Sequence, residues 1–182
     1  MPTSLQSNNG CPSPGVPYQP WFMDHVKTSL VKKDFCSLYF TVGLVEEAAE
    51  LVEEKNKENM ERESVVGEVG DVCWYIYGLC NSLTDIVPSS QSSEGSKAPQ
   101  ASGEAAQILM VCGKLCGSVK KWNRGDQSWD KFQERIQRNV SELLDLLAVI
   151  SPVPLEVAMK KNIEKILSRR ERNVVLGDGS DR

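Results

Sequence analysis

The chain contains a single histidine, His25, among its 182 residues, and this scarcity restricts the chemistry open to it. Most zinc sites and two-histidine iron sites need more imidazole ligands than the sequence supplies. A mechanism that passes protons between two imidazoles is excluded for the same reason. Any reaction carried out by this chain must therefore depend on its carboxylates, lysines and arginines.

Long apolar runs and closely paired cysteines are also lacking. No apolar run approaches the roughly 20 residues that a membrane span needs, so we expect no membrane partner. The six cysteines form no Cys-x-x-Cys pair, and no signal-peptide pattern precedes them. We therefore predict that the cysteines are small core residues in a reducing compartment. This favours a cytoplasmic protein and leaves an organelle open.

Basic residues are not in excess. The chain has 21 lysines and arginines against 25 acidic residues, which gives a formal net charge of −4. A negative chain argues against a general nucleic-acid binder, since such proteins neutralise phosphates with clustered positive charge. Hydrophobic residues make up 40% of the sequence, enough to build a core.

Patterns typical of β-strands are missing as well. There is no convincing run of period two and no hairpin turn signal between apolar runs. The body of the chain has helical periodicity instead, so we predict an all-α protein built as an antiparallel helical bundle. The helices are predicted at 22–30, 35–56, 60–84, 104–122, 129–150 and 154–171, with Asn59, Ser128 and Pro154 marking three of the starts.

Two segments rich in Pro, Ser and Gly interrupt the helical pattern. Residues 1–20 are predicted to be a disordered leader, and residues 88–103 a flexible linker. The linker divides the body into a first unit at 21–87 and a second unit at 104–171. A Gly-rich tail follows at 172–182.

Paired acids occur at helical spacing on the two long helices of the first unit. Glu47 and Glu50 are three residues apart on one helix, and Glu68 and Asp71 are three apart on the next. Residues three apart lie on the same face of a helix. The short turn near residues 55–59 makes the two helices antiparallel neighbours, so their acidic faces can meet.

Carboxylates gathered against an apolar helix either take up protons or recruit cations. A purely structural interpretation and a metal site both remain open on spacing alone. All-oxygen ligands without histidine would favour Mg²⁺, with Mn²⁺ as a second candidate, and Mg²⁺ commonly takes phosphate as a further ligand. Five other acids are interpreted as a solvated face without a role: Glu53, Glu54, Glu58, Glu61 and Glu63.

Three ordered motifs give the sequence a family resemblance. They are EExxE at residues 46–50, ExxD at residues 68–71, and N-x-x-K-x-x-x-R at residues 162–169. This set, with the Gly-rich tail, resembles the MazG-type all-α nucleotide pyrophosphohydrolases, although Asn173 stands where that tail usually has Gly. The resemblance implies hydrolysis of a nucleoside triphosphate between the α and β phosphates, giving a monophosphate and pyrophosphate.

The resemblance also implies roles for the acids. Glu47, Glu50, Glu68 and Asp71 would hold Mg²⁺. Glu46 and Glu47 would act in catalysis, with Glu46 as an outer ligand or as a base that orients water.

Substrate contacts are implied in the same way. Tyr75 lies one turn past Asp71 and would line the nucleoside pocket. Asn162, Lys165 and Arg169 of the third motif would contact the triphosphate.

The second unit echoes the first with its acids largely lost. When the sequence of the second unit is aligned with that of the first, Lys114 falls at the position of Glu47 and Glu142 at that of Asp71. We interpret this as an internal duplication, so that one chain forms a pseudo-dimer with one acidic centre. The alternative is a loose match between two amphipathic helix pairs.

If the duplication is right, five residues of the second unit are candidates for binding the phosphates and base of the substrate: Lys114, Lys120, Lys121, Trp122 and Arg124. The alternative interpretation is an ordinary basic surface with Trp122 as a core anchor. The chain is expected to be a monomeric pseudo-dimer or a homodimer. Two other functions stay open: a dUTPase-like or phosphoribosyl-ATP-hydrolysing enzyme of the same superfamily, and a non-catalytic helical interaction module.

Overall fold

Every regular element in the part of the chain that the structure describes is an α-helix. The structure is a computed structural model, and it describes residues 36–83, 88 and 103–172. The helices are α1 (Cys36–Asn56), α2 (Arg62–Ser82), α3 (Glu104–Asn123), α4 (Trp129–Ile150) and α5 (Leu155–Glu171). The all-α prediction is confirmed, and each bound lies within two residues of its predicted position.

The predicted helix starts have different outcomes. Asn59 is not the N-cap of α2, because the turn continues past it and Glu61 takes that place with an extended backbone. Ser128 does precede α4, and its carbonyl accepts the first helical hydrogen bond from Phe132 at 3.0 Å. Several other predictions lie outside the described residues: the leader, the helix at 22–30, the interior of the linker and the tail beyond residue 172.

The helices form two hairpins and one added helix. Residues 57–61 connect α1 to α2, and residues 124–128 connect α3 to α4, so each pair is antiparallel. The hairpins pack through α1 and α3, with Cys116 Sγ 4.0 Å from the carbonyl oxygen of Thr41. Helix α5 packs on α2. None of the described helices is long and apolar enough to cross a membrane.

The core lies between the hairpins and draws on the apolar faces of α1 to α4, and Ala158 and Met159 of α5 also belong to it. Four of the cysteines lie in it, namely Cys36, Cys73, Cys80 and Cys112, and Cys116 is half-buried beside them. All five of these cysteines are free thiols, as predicted, and Cys11 lies outside the described residues. Burial raises the pKa of Cys73, Cys80 and Cys112 to about 12, so these thiols are protonated and unreactive at neutral pH. The largest fully buried side chains are Phe40, Leu44, Leu51, Ile76, Leu79, Ile108, Leu115, Phe132, Ile136, Leu143 and Leu147.

A close approach at Gly70 brings α5 against α2. A Cβ atom at this position would lie 2.8 Å from the carbonyl oxygen of Ala158 and 2.9 Å from Cβ of Asn162. The neighbouring Gly67 differs, since a Cβ atom there would have nothing within 4 Å. Of these two glycines, only Gly70 is therefore needed for α2 and α5 to meet. The contact places Asn162 beside the acids of α2.

The contrast between these two glycines gives a stability prediction. Gly70→Ala should destabilise the protein by about 1–3 kcal/mol, because the new methyl group meets helix backbone that cannot easily move aside. Gly67→Ala should instead stabilise it by about 0.5–1 kcal/mol, since alanine reduces the entropy lost by a helical glycine. Urea unfolding of the two variants measures both effects. Equal free energies of unfolding would show that α5 does not pack at Gly70.

Candidate metal centre

The acidic faces of α1 and α2 meet. Glu47 and Glu50 of α1 and Glu68 of α2 each offer a carboxylate oxygen, and these oxygens lie within 4.8 Å of one another. Glu47 and Glu68 are half-buried, whereas Glu50 is exposed. The spacing of three on each helix and the short connection therefore produce the predicted cluster, with one side open to solvent.

Asp71 lies beside this cluster and is held by α5. Asn162 donates a hydrogen bond from Nδ2 to Oδ1 of Asp71, and Lys165 pairs through Nζ with Oδ2. The Asp71 side chain is only 18% exposed, and that of Lys165 is 34% exposed. The third sequence motif thus reaches the second one through two side-chain contacts.

The pKa values of two acids in the cluster are raised, because their charged forms are disfavoured there. Burial, and then the negative charges of Asp71, Glu50 and Glu68, together raise the pKa of Glu47 to about 8. Burial and the charges of Asp71 and Glu50 likewise raise the pKa of Glu68 to about 7. Lys165 opposes both shifts. Without a divalent cation, these two carboxyls therefore hold protons near neutral pH.

Glu54 belongs to this region, and its assignment to a solvated face is wrong. The residue is 7% exposed, and its carboxylate accepts a hydrogen bond from Nζ of Lys57. Glu54 lies seven positions after Glu47, which is two helical turns along the same face. That spacing is the signal that could have placed it, and its charge also acts on Glu68.

Two other predicted residues lie next to the acids. Glu46 is exposed, one position before Glu47. Tyr75 is half-buried between α1 and α2, with its ring against Gly43 and 6.0 Å from the ring of Tyr39. Burial, together with a hydrogen bond to Tyr39, raises the pKa of the Tyr75 hydroxyl. Sequence reasoning did not identify Tyr39 as its partner.

Arg169 follows Lys165 by one turn on α5 and is half-buried. Within residues 36–83 and 103–172, no hydrogen bond or ion pair joins Arg169 to the acids. Of the third motif, Asn162 and Lys165 therefore contact the cluster directly, and the role of Arg169 stays a prediction.

The candidates of the second unit make contacts of their own. Lys114 pairs with Glu142 at 3.2 Å on an exposed surface. Trp122 stacks on Phe132, with ring centroids 5.2 Å apart and an interplanar angle of 11°. Lys121 is exposed near the end of α3. The stacking favours the core-anchor interpretation of Trp122, and the structure does not bring these three side chains into the acidic cluster.

A cavity of about 490 Å³ lies elsewhere, between the end of α1 and the start of α3. None of the predicted site residues lines it, and apolar walls dominate, which does not suit a polyphosphate. The candidate site is therefore the acidic cluster and not this cavity. The cavity is lined by Leu51, Val52, Lys55, Asn56, Gly103, Glu104, Ala105, Ala106, Ile108, Leu109 and Ile150.

Comparisons of the chain with protein-family models, with curated proteins and with solved structures gave no match. The chemistry open to the cluster follows from its own donors. Three carboxylates converge, and neither histidine nor cysteine joins them in the grouping. An all-oxygen, negatively charged set fits a hard divalent ion such as Mg²⁺ or Mn²⁺ and does not fit softer metals.

The raised pKa values predict how stability depends on pH. Between about pH 4.5 and 8 the folded protein binds more protons at Glu47 and Glu68 than the unfolded chain does. The contribution of these two groups to the free energy of unfolding is therefore fully present below about pH 4.5. It is lost as the pH rises through 7 and 8. In EDTA, the free energy of unfolding should fall across this range relative to that of a Glu47→Gln variant.

The matched control for this measurement is Glu53→Gln, because Glu53 is exposed on the same helix. It should keep the pH slope of the wild type. Addition of Mg²⁺ at pH 8 should recover stability in the wild type and in Glu53→Gln but much less in Glu47→Gln. A wild-type stability that rises from pH 5 to 8 in parallel with Glu47→Gln would contradict the clustering of these acids.

Proposed function

We propose that this protein is a Mg²⁺-dependent nucleoside triphosphate pyrophosphohydrolase of the MazG type, which releases a nucleoside monophosphate and pyrophosphate. The observation that carries the proposal is the meeting of three separate motifs at one point. The oxygens of Glu47, Glu50 and Glu68 converge, and Asp71 beside them binds Asn162 and Lys165.

The sequence separation of these contacts adds to their weight. Asn162 and Lys165 lie 91 and 94 positions from Asp71, on a helix that follows the whole second hairpin. Chance acidic pairs on helices are common, and they have no reason to meet a basic motif from a distant helix. A cluster of acids with a lysine and an amide at its edge suits a ligand that carries both a cation and phosphates.

The acids of α1 and α2 have two different roles in this proposal. Glu47, Glu50, Glu68 and Asp71 would hold Mg²⁺, with Mn²⁺ as an alternative ion. The bound ion would polarise the phosphate and neutralise charge on the leaving pyrophosphate. Glu46 is exposed beside Glu47 and would orient the attacking water as a general base.

The substrate contacts in the proposal come from α2 and α5. Lys165 and Arg169, one helical turn apart, would bind the phosphates, with Asn162 fixing the edge of the site. Tyr75 would face the nucleoside, because its ring lies in the α1–α2 interface beside the acids. Besides burial, the charges of Glu47 and Glu46 both raise the pKa of its hydroxyl.

We further propose that the second hairpin is a degenerate copy of the first, so that the chain is a pseudo-dimer. Both hairpins have short connections, and they pack through their first helices, α1 and α3. The Lys114–Glu142 ion pair lies where the alignment places Glu47 and Asp71 of the first unit. A lysine in place of one acid would neutralise the remaining acid without a metal ion.

The test of the proposed function is pyrophosphate release from a panel of common, deaminated and oxidised nucleoside triphosphates with Mg²⁺ or Mn²⁺. The wild type should hydrolyse at least one of them. Glu68→Gln should lower kcat/KM by at least about 100-fold, because it removes a ligand from the ion. Its melting temperature in EDTA should stay equal or rise, since one repelling carboxylate is gone.

Glu53→Gln serves as the matched control here too, because it removes an exposed acid from the same hairpin without touching the cluster. It should keep wild-type kinetics. A folded wild type that releases no pyrophosphate from any triphosphate with either ion would refute the proposal. Loss of fold in Glu68→Gln, with a lower melting temperature in EDTA, would show that the acid is structural.

A further inference from the structure

Both oxygens of Asp71 already have partners on α5. The Asn162 amide donates to Oδ1, and the Lys165 ammonium pairs with Oδ2. The two partners have different effects on the binding of a cation to Asp71. A neutral amide on one oxygen leaves the other oxygen available to a cation, whereas an ammonium on Oδ2 repels a divalent cation at the same atom. The Lys165 ammonium therefore competes with a metal ion for Oδ2 of Asp71.

We propose that Lys165 is the resident counter-ion of Asp71 and is exchanged for the metal ion when the site is loaded. The divalent cation displaces the Lys165 ammonium from Oδ2, and the released ammonium is then presented to the phosphates of the nucleotide. Asn162 keeps its hydrogen bond to Oδ1 throughout. This inference rests on the proposed function and adds to it a coupling between cation and nucleotide.

The geometry permits this movement without displacing α5. The Lys165 side chain is 34% exposed and sits on a flexible four-carbon stem, so its ammonium can turn towards solvent. Three other contacts keep α5 and its preceding loop in place: the Asn162 amide on Asp71, the Lys161–Glu63 ion pair, and the hydrogen bond of 2.7 Å from Arg62 to the Pro152 carbonyl.

The exchange has a thermodynamic consequence. A cation that binds alone must leave the Lys165 ammonium without a partner beside a divalent charge, so its affinity is reduced. A phosphate group removes that penalty by taking the ammonium. Cation and polyphosphate therefore bind with positive coupling, and the coupling is reciprocal. A free ion therefore binds more weakly in the absence of substrate than in its presence.

The first experiment compares Lys165→Met with Lys161→Met, which removes another ion pair between α5 and α2 away from the cluster. Mn²⁺ binding is followed by the electron paramagnetic resonance signal of the free ion. Without other ligands, Lys165→Met should bind Mn²⁺ about fivefold tighter than the wild type, as expected for loss of a partly exposed ion pair. Lys165→Arg and Lys161→Met should resemble the wild type.

The second arm adds inorganic triphosphate, which carries the phosphates without committing to a nucleoside. In the wild type, triphosphate should tighten Mn²⁺ binding, and in Lys165→Met this coupling should shrink by about fivefold or more. Equal coupling in the two proteins would overturn the exchange. Melting curves in EDTA confirm that each variant is folded before its binding is compared.

Removal of a positive charge would tighten Mn²⁺ binding even if the ammonium never moved, so a third measurement follows the ammonium in the wild type. Nitrogen-15 NMR of the lysine ammonium groups, assigned with Lys165→Arg, should show the Lys165 signal shift or disappear as Mg²⁺ saturates the site. The Lys161 signal should stay. A Lys165 signal unchanged at saturating Mg²⁺ would show a permanent structural ion pair and overturn the inference.

The outcomes separate this inference from the proposed function. If the wild type binds no Mn²⁺ at the acids, with or without triphosphate, the metal centre itself fails. If the wild type binds Mn²⁺ and hydrolyses a triphosphate while Lys165→Met shows wild-type affinity and coupling, only the exchange fails.

Discussion

Repulsion between carboxylates that two facing helices force together is the interaction on which the rest of this structure depends. Glu47 and Glu68 are half-buried within reach of Glu50 and Asp71, and burial, followed by these negative charges, raises their pKa values to about 8 and about 7. A fold optimised for stability alone would gain from separating such charges. Their position in one place is the physical reason for proposing a positively charged ligand.

Helix α5 supplies the compensation that the cluster has within the chain. It reaches α2 because Gly70 lets the helix backbones touch, and it then places Asn162 and Lys165 on Asp71. One lysine offsets only part of the negative charge that the four carboxylates carry when all of them are ionised. In the proposed function this remaining charge attracts a divalent cation, and the same lysine meets an anionic ligand.

The two hairpins show contrasting solutions to the same packing problem. Both use short connections and apolar faces that pack through α1 and α3. In the first hairpin the facing positions are acids that lack enough counter-charge, whereas in the second Lys114 and Glu142 neutralise each other. Uncompensated acidic side chains are thus concentrated in one half of the bundle, and the other half completes the core.

The sequence by itself determined the helices, the buried cysteines and the meeting of Glu47, Glu50 and Glu68, because helical period and a short turn are local properties. Only the tertiary structure decided that Gly70 is crowded by α5 while Gly67 is open, and that Glu54 is buried rather than solvated. It also decided that Asp71 binds Lys165 and that Lys114 and Trp122 have partners of their own. Those outcomes depend on how helices distant in sequence pack, and no local pattern encodes the distance between them.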